Sequence, residues 1–346
     1  MAIVWDAPVA PGALTWFTRD VPLNAENRLL AEAPSQDTPT NSINFGEIVR
    51  RNRTARYRSF DGRVHVSDRD GGNVANVGLI PLSTSTNMGE YERLQLEFAR
   101  TQGTNTLALA NAIYDDATQL TREVQARLEQ AWGDVLTDGV LTINENGLNG
   151  FEADFGVPSD HKVAAGTPWS NTAALALSDW IAWNDRYRLT NGVGAGTAVT
   201  SQKVLRLFLR NAEVIAAVYG AAAGRTSAKL TDVNDYLSGE GLATFREPYD
   251  TQVDIDGVLT RTIPDDRIVL RPSSFADLGY TAWGISVTAL ELFNSEKTDL
   301  TFEQAAGIVG VVVKSDGVPF RQFTYVDATA IPVLSNAKRL LIATVL

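Results

Sequence analysis

The stretch Asn105–Gly139, NTLALANAIYDDATQLTREVQARLEQAWGDVLTDG, carries the clearest helical pattern of the 346-residue chain. Its apolar residues recur at every third or fourth position, which places them on one face of an α-helix. They are Leu109, Ile113, Ala117, Leu120, Val124, Leu128, Ala131 and Val135. Asp138-Gly139 is a stop signal, so we predict a helix from about Asn105 to Thr137. Because the stripe spans about seven turns, we expect it to be a spine along which the rest of the molecule packs.

Strand pairs are predicted on both sides of this helix. After it, Val140–Asn144 and Leu148–Phe155 flank Glu145-Asn146-Gly147, a strong hairpin turn. Before it, residues 57–82 place Asp-Gly and Asp-Gly-Gly-Asn turns between short alternating segments with few large apolar residues. This second pattern indicates a long two-stranded projection, which needs a neighbour for support.

Residues 1–45 contain five prolines and no sustained helical or strand period. This pattern predicts an extended arm that is either frayed or laid against another surface. Farther along, residues 167–296 mix helical patterns at Asn171–Arg186 and Ser201–Tyr219 with Gly-rich and Pro-containing turns, as in a compact mixed domain. A short helix near Phe302 then precedes two or three strands, and Leu340–Val345 has the pattern of a buried strand.

The segment Ile48–Arg63 is strongly basic. It sets six arginines against one aspartate, a local charge of +5, so the other residues sum to −16 in a chain of net charge −11. A basic element of this kind either docks on an acidic surface of another copy, contacts nucleic acid, or is simply a solvated strand. We predict the first, with contacts to a neighbouring subunit by Arg50, Arg51, Arg53, Arg56, Arg58 and Arg63.

Composition excludes several classes of function. The net charge of −11 argues against a surface built throughout to bind phosphate backbones. The absence of cysteine excludes disulfides, thiolate metal sites and cysteine nucleophiles, and two histidines are too few for a site built on several imidazoles. The chain shows no secretory leader pattern and no apolar run long enough for a bilayer, so we expect an unprocessed intracellular product without membrane contact.

Catalytic and cofactor motifs are weak or missing. Gly192–Gly196 lacks the spacing and the preceding strand of a dinucleotide fingerprint and is interpreted as a loop. Residues 252–263 lack both terminal acids of a calcium loop, and a turn at Ile255–Val258 explains them. His161 is predicted to be an exposed loop residue, and His65 to lie on the polar face of a strand. We therefore predict no catalytic, cofactor-binding or metal-binding residues and no enzymatic activity.

The order of these parts resembles the major capsid proteins of tailed bacteriophages, and most closely the lambda-type capsid protein E family. Short matches to that family span roughly residues 46–346. They are Asp138–Ile143 with Phe151–Gly156, Trp169 with Asp179-Trp180, Pro264–Leu270, and Ile331–Leu334 with Ala337–Val345. Each match is short, and the order in which they occur carries the resemblance.

The resemblance implies an α+β fold of the Hong Kong 97 capsid type. Its parts would be an N-terminal arm (1–45), an extended β-hairpin loop (46–85), a peripheral domain with the long spine helix (86–161), an axial domain (162–300) and a return to the peripheral domain (301–346). It implies a major capsid protein that forms hexamers and pentamers of an icosahedral head around double-stranded DNA, without cofactors.

The same resemblance implies the partners and the location. The chain would bind itself, a separate scaffold protein during assembly, a portal protein and, in some heads, a decoration protein, and it would contact packaged DNA without sequence specificity. It would reside in the virion capsid and, during assembly, in the host cytoplasm. Two alternatives stay open: an encapsulin-like bacterial compartment shell, and an acidic soluble hydrolase with an unrecognised carboxylate pair.

Overall fold

A computed structural model describes residues 2–40, 42–46, 74–103, 107–145, 148–222, 224–255, 257–295, 297–315 and 321–346. Within these residues the helices are α1 (Pro11–Asp20), α2 (Arg28–Glu32), α3 (Glu90–Thr101), α4 (Ala108–Asp138), α5 (Ala176–Asn191), α6 (Gln202–Arg210), α7 (Ala212–Tyr219), α8 (Leu230–Gly239) and α9 (Val287–Phe293). The strands are β1 (Ala2–Ile3), β2 (Ser35–Asp37), β3 (Ser42–Gly46), β4 (Val74–Gly78), β5 (Pro81–Met88), β6 (Val140–Glu145), β7 (Leu148–Asp154), β8 (Lys162–Ala164), β9 (Thr197–Thr200), β10 (Thr244–Phe245), β11 (Gln252–Ile255), β12 (Val258–Arg261), β13 (Arg267–Arg271), β14 (Gly279–Gly284), β15 (Val309–Lys314), β16 (Gln322–Leu334) and β17 (Leu341–Thr344).

The predicted spine helix is confirmed as α4, and all eight residues of its apolar stripe are buried. It ends at Gly139, whose φ of 81° lies in the left-handed region that favours glycine. A Cβ at Gly139 would also come within 2.3 Å of the Val157 side chain. The hairpin predicted after the helix is confirmed as the antiparallel pair β6 and β7.

The spine helix packs on a six-stranded sheet. Its strand order is β1-β15-β16-β14-β2, with β5 also paired to β16, the 13-residue central strand. The fully buried indole of Trp132 joins helix to sheet, because its Nε1 donates to Thr281 Oγ1 of β14 at 2.9 Å. The sheet and the helix therefore share one apolar core.

A five-stranded sheet in the order β10-β9-β13-β17-β8 builds a second core with helices α5 to α8. Aromatic rings fill this core: the Trp180 ring stacks on Phe245 at 4.3 Å between centroids, and Phe208 lies 5.5 Å from Trp180. The helix predicted over Ser201–Tyr219 is divided into α6 and α7 at Asn211, whose extended backbone ends the first and whose side chain caps the second.

The two sheets exchange strands across the predicted boundaries. Strand β14 belongs to the predicted segment 162–300 but pairs in the six-stranded sheet, and β17 belongs to the predicted return 301–346 but pairs in the centre of the five-stranded sheet. A boundary drawn along the chain cannot separate the two layers, because strands distant in sequence complete each other's hydrogen bonds. The division into five parts stays a prediction, with these two strands as corrections to it.

The prediction of an extended arm without regular structure is wrong for part of residues 1–45. They form α1, α2, β1, β2 and most of β3; β1 pairs with β15 and β2 pairs with β14. Leu14 and Leu29 are fully buried. Short helices of this kind owe their stability to tertiary packing rather than to a long periodic pattern, which explains why the sequence did not indicate them.

Residues 46–85 contribute two paired segments. β3 and β4 form an antiparallel ladder from Ser42 opposite Gly78 to Gly46 opposite Val74. β5, in contrast, begins within the predicted loop but pairs with β16 of the six-stranded sheet. The loop's predicted turns and His65 lie outside the described residues.

Candidate assembly surfaces

The six arginines predicted to contact a neighbouring subunit, Arg50, Arg51, Arg53, Arg56, Arg58 and Arg63, lie outside the described residues. The structure describes both ends of the segment that carries them. Gly46 and Val74 are directly paired, so the two ends of this segment lie side by side. The role of these arginines stays a prediction.

Helix α3 is the least covered helix in the described part of the chain, and the sequence did not indicate it. None of its side chains is buried, although it packs against α4. Tyr91, Leu94 and Phe98 recur at helical spacing and expose 73, 51 and 55% of their surface. Apolar side chains in a row on one exposed helix face mark an interaction surface.

Carboxylates surround this apolar row. Glu90, Glu92 and Glu97 lie on α3, and Asp115 and Asp116 follow on α4. Burial raises the pKa of Asp116, a 3.3 Å hydrogen bond from the Thr324 hydroxyl opposes that shift, and the negative charges of Glu92 and Asp115 add to it. Arg93 and Arg100 also lie on α3, and Arg100 pairs with Glu97 at 2.8 Å. The two helices therefore form a face, here called the α3–α4 face, that has an apolar row and five carboxylates against two arginines, a net charge of −3.

A buried carboxylate fastens the N-terminal segment to the spine helix. Glu129 of α4 is fully buried; its Oε1 accepts from the Leu29 amide at 2.9 Å and from the Tyr249 hydroxyl at 2.6 Å, and its Oε2 accepts from the Leu30 amide at 2.7 Å. The two amides are free donors in the first turn of α2. Burial raises the pKa of Glu129 despite these three hydrogen bonds, and it also raises the pKa of Tyr249.

A second charged group lies at the other end of α2. Glu32 binds the guanidinium of the buried Arg271 and, at 2.6 Å, that of Arg246. Arg271 also lies over the Phe275 ring, 5.0 Å from its centroid. Arg28 donates to the carbonyls of Pro248 and Glu247 at 2.9 and 3.2 Å. Helix α2 thus links the spine helix to the five-stranded sheet through side chains that are far apart in sequence.

An apolar groove of about 480 Å³ runs between α4, β5, the β6–β7 hairpin and β16. Its floor includes Leu82, Leu128 and Ile143. The charged side chains at its rim have partners within the chain: Glu123 accepts a hydrogen bond from the Thr84 hydroxyl at 2.6 Å, and Arg127 forms an ion pair with Glu145 at 2.8 Å. The open part of the groove is therefore its apolar floor.

The remaining sequence candidates occupy structural positions. The prediction that His161 is exposed is wrong: the ring is fully buried, with Nδ1 2.9 Å from the Leu340 carbonyl and Nε2 3.0 Å from Thr190 Oγ1. Gly192–Gly196 joins α5 to β9, and residues 252–261 form the β11–β12 hairpin. Among the described residues, no group of three acids or histidines could hold a metal ion, and no helix is both long and apolar enough to cross a membrane.

Comparison with known proteins identifies the fold. A protein described as the prophage capsid protein of E. coli CFT073 superposes with a TM-score of 0.61 at 14% identity, over 96% of this chain and 97% of that one. A phage-related protein of Bordetella bronchiseptica RB50 superposes with a TM-score of 0.52 at 12% identity, over 99% and 98% of the two chains. No curated protein matches the chain in sequence.

The family model described as phage major capsid protein E matches residues 20–344. The match includes the spine helix, the five-stranded sheet, the six-stranded sheet except β1, and the α3–α4 face. The resemblance found in the order of the sequence segments and the capsid fold predicted from it are thereby confirmed. The chain belongs to the phage major capsid protein E family and is a capsid shell protein.

Proposed function

We propose that copies of this chain assemble into hexamers and pentamers of an icosahedral phage head that encloses double-stranded DNA. The observation that carries this proposal is that a member of a capsid family presents elements it cannot cover itself. The β3–β4 ladder has two strands, and α3 has no buried side chain. Symmetric assembly covers such elements with the same surface of another copy.

Within this assembly, the basic segment Ile48–Arg63 binds the α3–α4 face of a neighbouring copy. The segment carries +5, and five carboxylates lie on the face, so the two surfaces attract each other. The apolar row on α3 supplies contact area that does not depend on charge. Salt should weaken the first contribution and leave the second.

The head protein acts mechanically, without a cofactor and without an enzymatic activity. It uses a separate scaffold protein during assembly in the host cytoplasm, joins a portal protein, and accepts a decoration protein in some heads. DNA inside the shell meets it without sequence specificity. An encapsulin-like compartment would enclose protein cargo instead, and a hydrolase would stay unassembled, so the particle and its contents distinguish the three functions.

The test is assembly in the presence of a co-expressed scaffold protein, observed by electron microscopy over a range of NaCl concentrations. Replacing Arg50, Arg53 and Arg56 by Gln should reduce the yield of shells, most strongly at low salt. The control replaces three exposed arginines elsewhere, Arg122, Arg225 and Arg321, by Gln. Equal yields for both variants at every salt concentration would contradict the role of the basic segment. Particles that contain protein cargo and no DNA after phage infection would contradict the proposed function as a phage head protein.

A further inference from the structure

Helix α5 buries one apolar face and exposes several large apolar side chains on its other side. Its inner face buries Trp180, Trp183 and Tyr187 in the core of the five-stranded sheet. Its outer face presents Ile181 and Leu189, and Leu175 precedes the helix on the same side; they expose 38, 88 and 60% of their surface. Exposed apolar side chains on one side of a helix mark an interaction surface. The outer face therefore lacks a cover within the described chain.

Asp185 lies near the centre of this outer face and is exposed. The two arginines that follow nearby turn back to their own chain: Arg186 donates to the Asp160 carbonyl at 3.0 Å and Arg188 to the Gly241 carbonyl at 2.6 Å. Asp185 forms no ion pair within the described ranges. The outer side of α5 thus mixes exposed apolar side chains with the polar Ser178 and Arg186, and Asp185 is a carboxylate there without an ion-pair partner among the described residues.

The outer face of α6 has the opposite character. It borders a depression of about 500 Å³ lined by Ser170, Gln202, Lys203, Arg206, Leu207, Arg210 and Leu346. Lys203 is paired with Asp265 at 3.0 Å, whereas Arg206 and Arg210, one turn apart, have no ion-pair partner in the part of the chain that the structure describes. The depression therefore combines an apolar floor with two available guanidinium groups.

The two outer faces point away from each other. Trp180 on the inner face of α5 and Phe208 on the inner face of α6 are in ring contact, 5.5 Å apart, and α7 packs against both helices. Since the inner faces meet in the core, the outer faces form two different sides of one lobe. Two different, complementary sides on one molecule are what a head-to-tail contact requires, and such a contact closes into a ring when its rotation closes.

We propose that the outer face of α5 in one copy packs into the α6 depression of the next copy, with Asp185 beside Arg206 and Arg210. The proposal deepens the proposed function and rests on it, because it names the surfaces that join copies within a capsomer. A second copy fits better than a nucleic acid: the floor formed by Leu207 and Leu346 matches apolar side chains such as Leu189, which a phosphate backbone does not offer.

The cysteine-free chain allows a direct test. Leu189→Cys and Leu207→Cys are made as separate variants, mixed, assembled and treated with a short bismaleimide. Because each copy then carries one thiol, a covalent dimer forms when residue 189 of one copy lies beside residue 207 of another. A mixture of Leu207→Cys with Val258→Cys, at the exposed tip of the β11–β12 hairpin, is the control. We expect dimers from the first mixture and monomers from the control.

Charge reversal tests the ionic part of the contact. Arg206→Glu with Arg210→Glu should raise the protein concentration at which half of the chains sediment as oligomers by about tenfold, the effect of about 1.4 kcal/mol per contact. Adding Asp185→Arg should recover most of that loss. Lys297→Glu with Lys314→Glu changes the net charge equally in another part of the molecule and should leave assembly unchanged.

The outcomes separate this contact from the proposed function. If the unaltered chain forms shells but the mixed Leu189→Cys and Leu207→Cys variants give no 189–207 dimer, the contact is overturned and the proposed head function stands. If the 189–207 dimers form but the chain makes only rings and never shells, the contact is supported and the proposed phage head function is contradicted. Loss of DNA retention with normal assembly in the Arg206→Glu, Arg210→Glu variant would assign the depression to nucleic acid and overturn the contact.

Discussion

Replacing Glu129 by Ala should destabilise the chain by at least about 3 kcal/mol, a minimum set by its hydrogen bonds. The carboxylate satisfies three donors at 2.9, 2.7 and 2.6 Å: the amides of Leu29 and Leu30 and the hydroxyl of Tyr249. Each buried donor that loses its acceptor costs about 1 to 3 kcal/mol. Alanine also leaves a void beside α2, so the N-terminal segment should detach before the sheets unfold.

The measurement is urea denaturation of the unassembled chain, with limited proteolysis of residues 1–40 at low urea. Glu123→Ala is the matched control, because Glu123 lies on the same helix but is exposed, with a single 2.6 Å bond from Thr84, and should change stability by about 0.5 kcal/mol or less. Equal denaturation curves and equal proteolysis of the two variants would refute the reasoning.

The pH dependence of the Glu129→Gln variant tests the same carboxylate. Burial raises the pKa of Glu129 in the folded chain above that of the unfolded chain, so the folded chain holds this proton more tightly. The contribution of this proton to the stability of the folded chain is complete below the pKa of the unfolded chain and is lost as pH rises through the pKa of the folded chain. As pH rises through the range between these two pKa values, the wild-type chain should therefore lose stability relative to the Glu129→Gln variant. A stability difference that does not depend on pH would contradict the buried carboxylate.

Three further predictions follow from single features. A Gly→Ala change inside a helix normally stabilises it by about 1 kcal/mol. Gly133→Ala should instead destabilise α4, because the new Cβ would lie 2.3 Å from the Thr262 carbonyl oxygen. The control Gly12→Ala in α1 places a Cβ with nothing within 4 Å and should be neutral or stabilising in thermal denaturation. Mature particles boiled in denaturant should run as one band near 37.5 kDa. No lysine precedes Lys162 and an arginine side chain is not an amine nucleophile, so the residues before Lys162 offer no side-chain amine for a covalent bond between copies. A ladder of covalently joined copies would contradict this. Expression without other phage proteins should give few or aberrant shells, because the proposed assembly uses a separate scaffold protein; abundant uniform capsids would contradict it.

Local periodicity was sufficient for the elements whose pattern is long. The eight-residue stripe of α4 and the pairing of β6 with β7 were predicted correctly, because each depends on a pattern within a short stretch of sequence. Helices α1, α2, α3, α8 and α9 were missed. All are short, α1 and α2 are held by distant partners such as Gly310 and Glu129, and α3 buries no side chain, so none carries a long apolar stripe.

Charge showed a similar division. Counting residues located a +5 segment in an acidic chain, but it could not show where the complementary carboxylates lie. The α3–α4 face joins acids from two helices, and the depression on α6 joins Ser170, Leu346 and a helix face from three separate parts of the chain. Such surfaces exist only after the segments are packed together.

By itself, the amino-acid sequence determined the order of the parts, the spine helix, the hairpin that follows it and the membership of a capsid family. Tertiary structure decided which strands complete which sheet, how α2 is held against α4, and that His161 is buried. The physical reason is the range of the interactions. A helix stripe or a tight turn is set by residues a few positions apart, whereas β14, β17 and Glu129 take their positions from partners that lie tens to more than a hundred residues away.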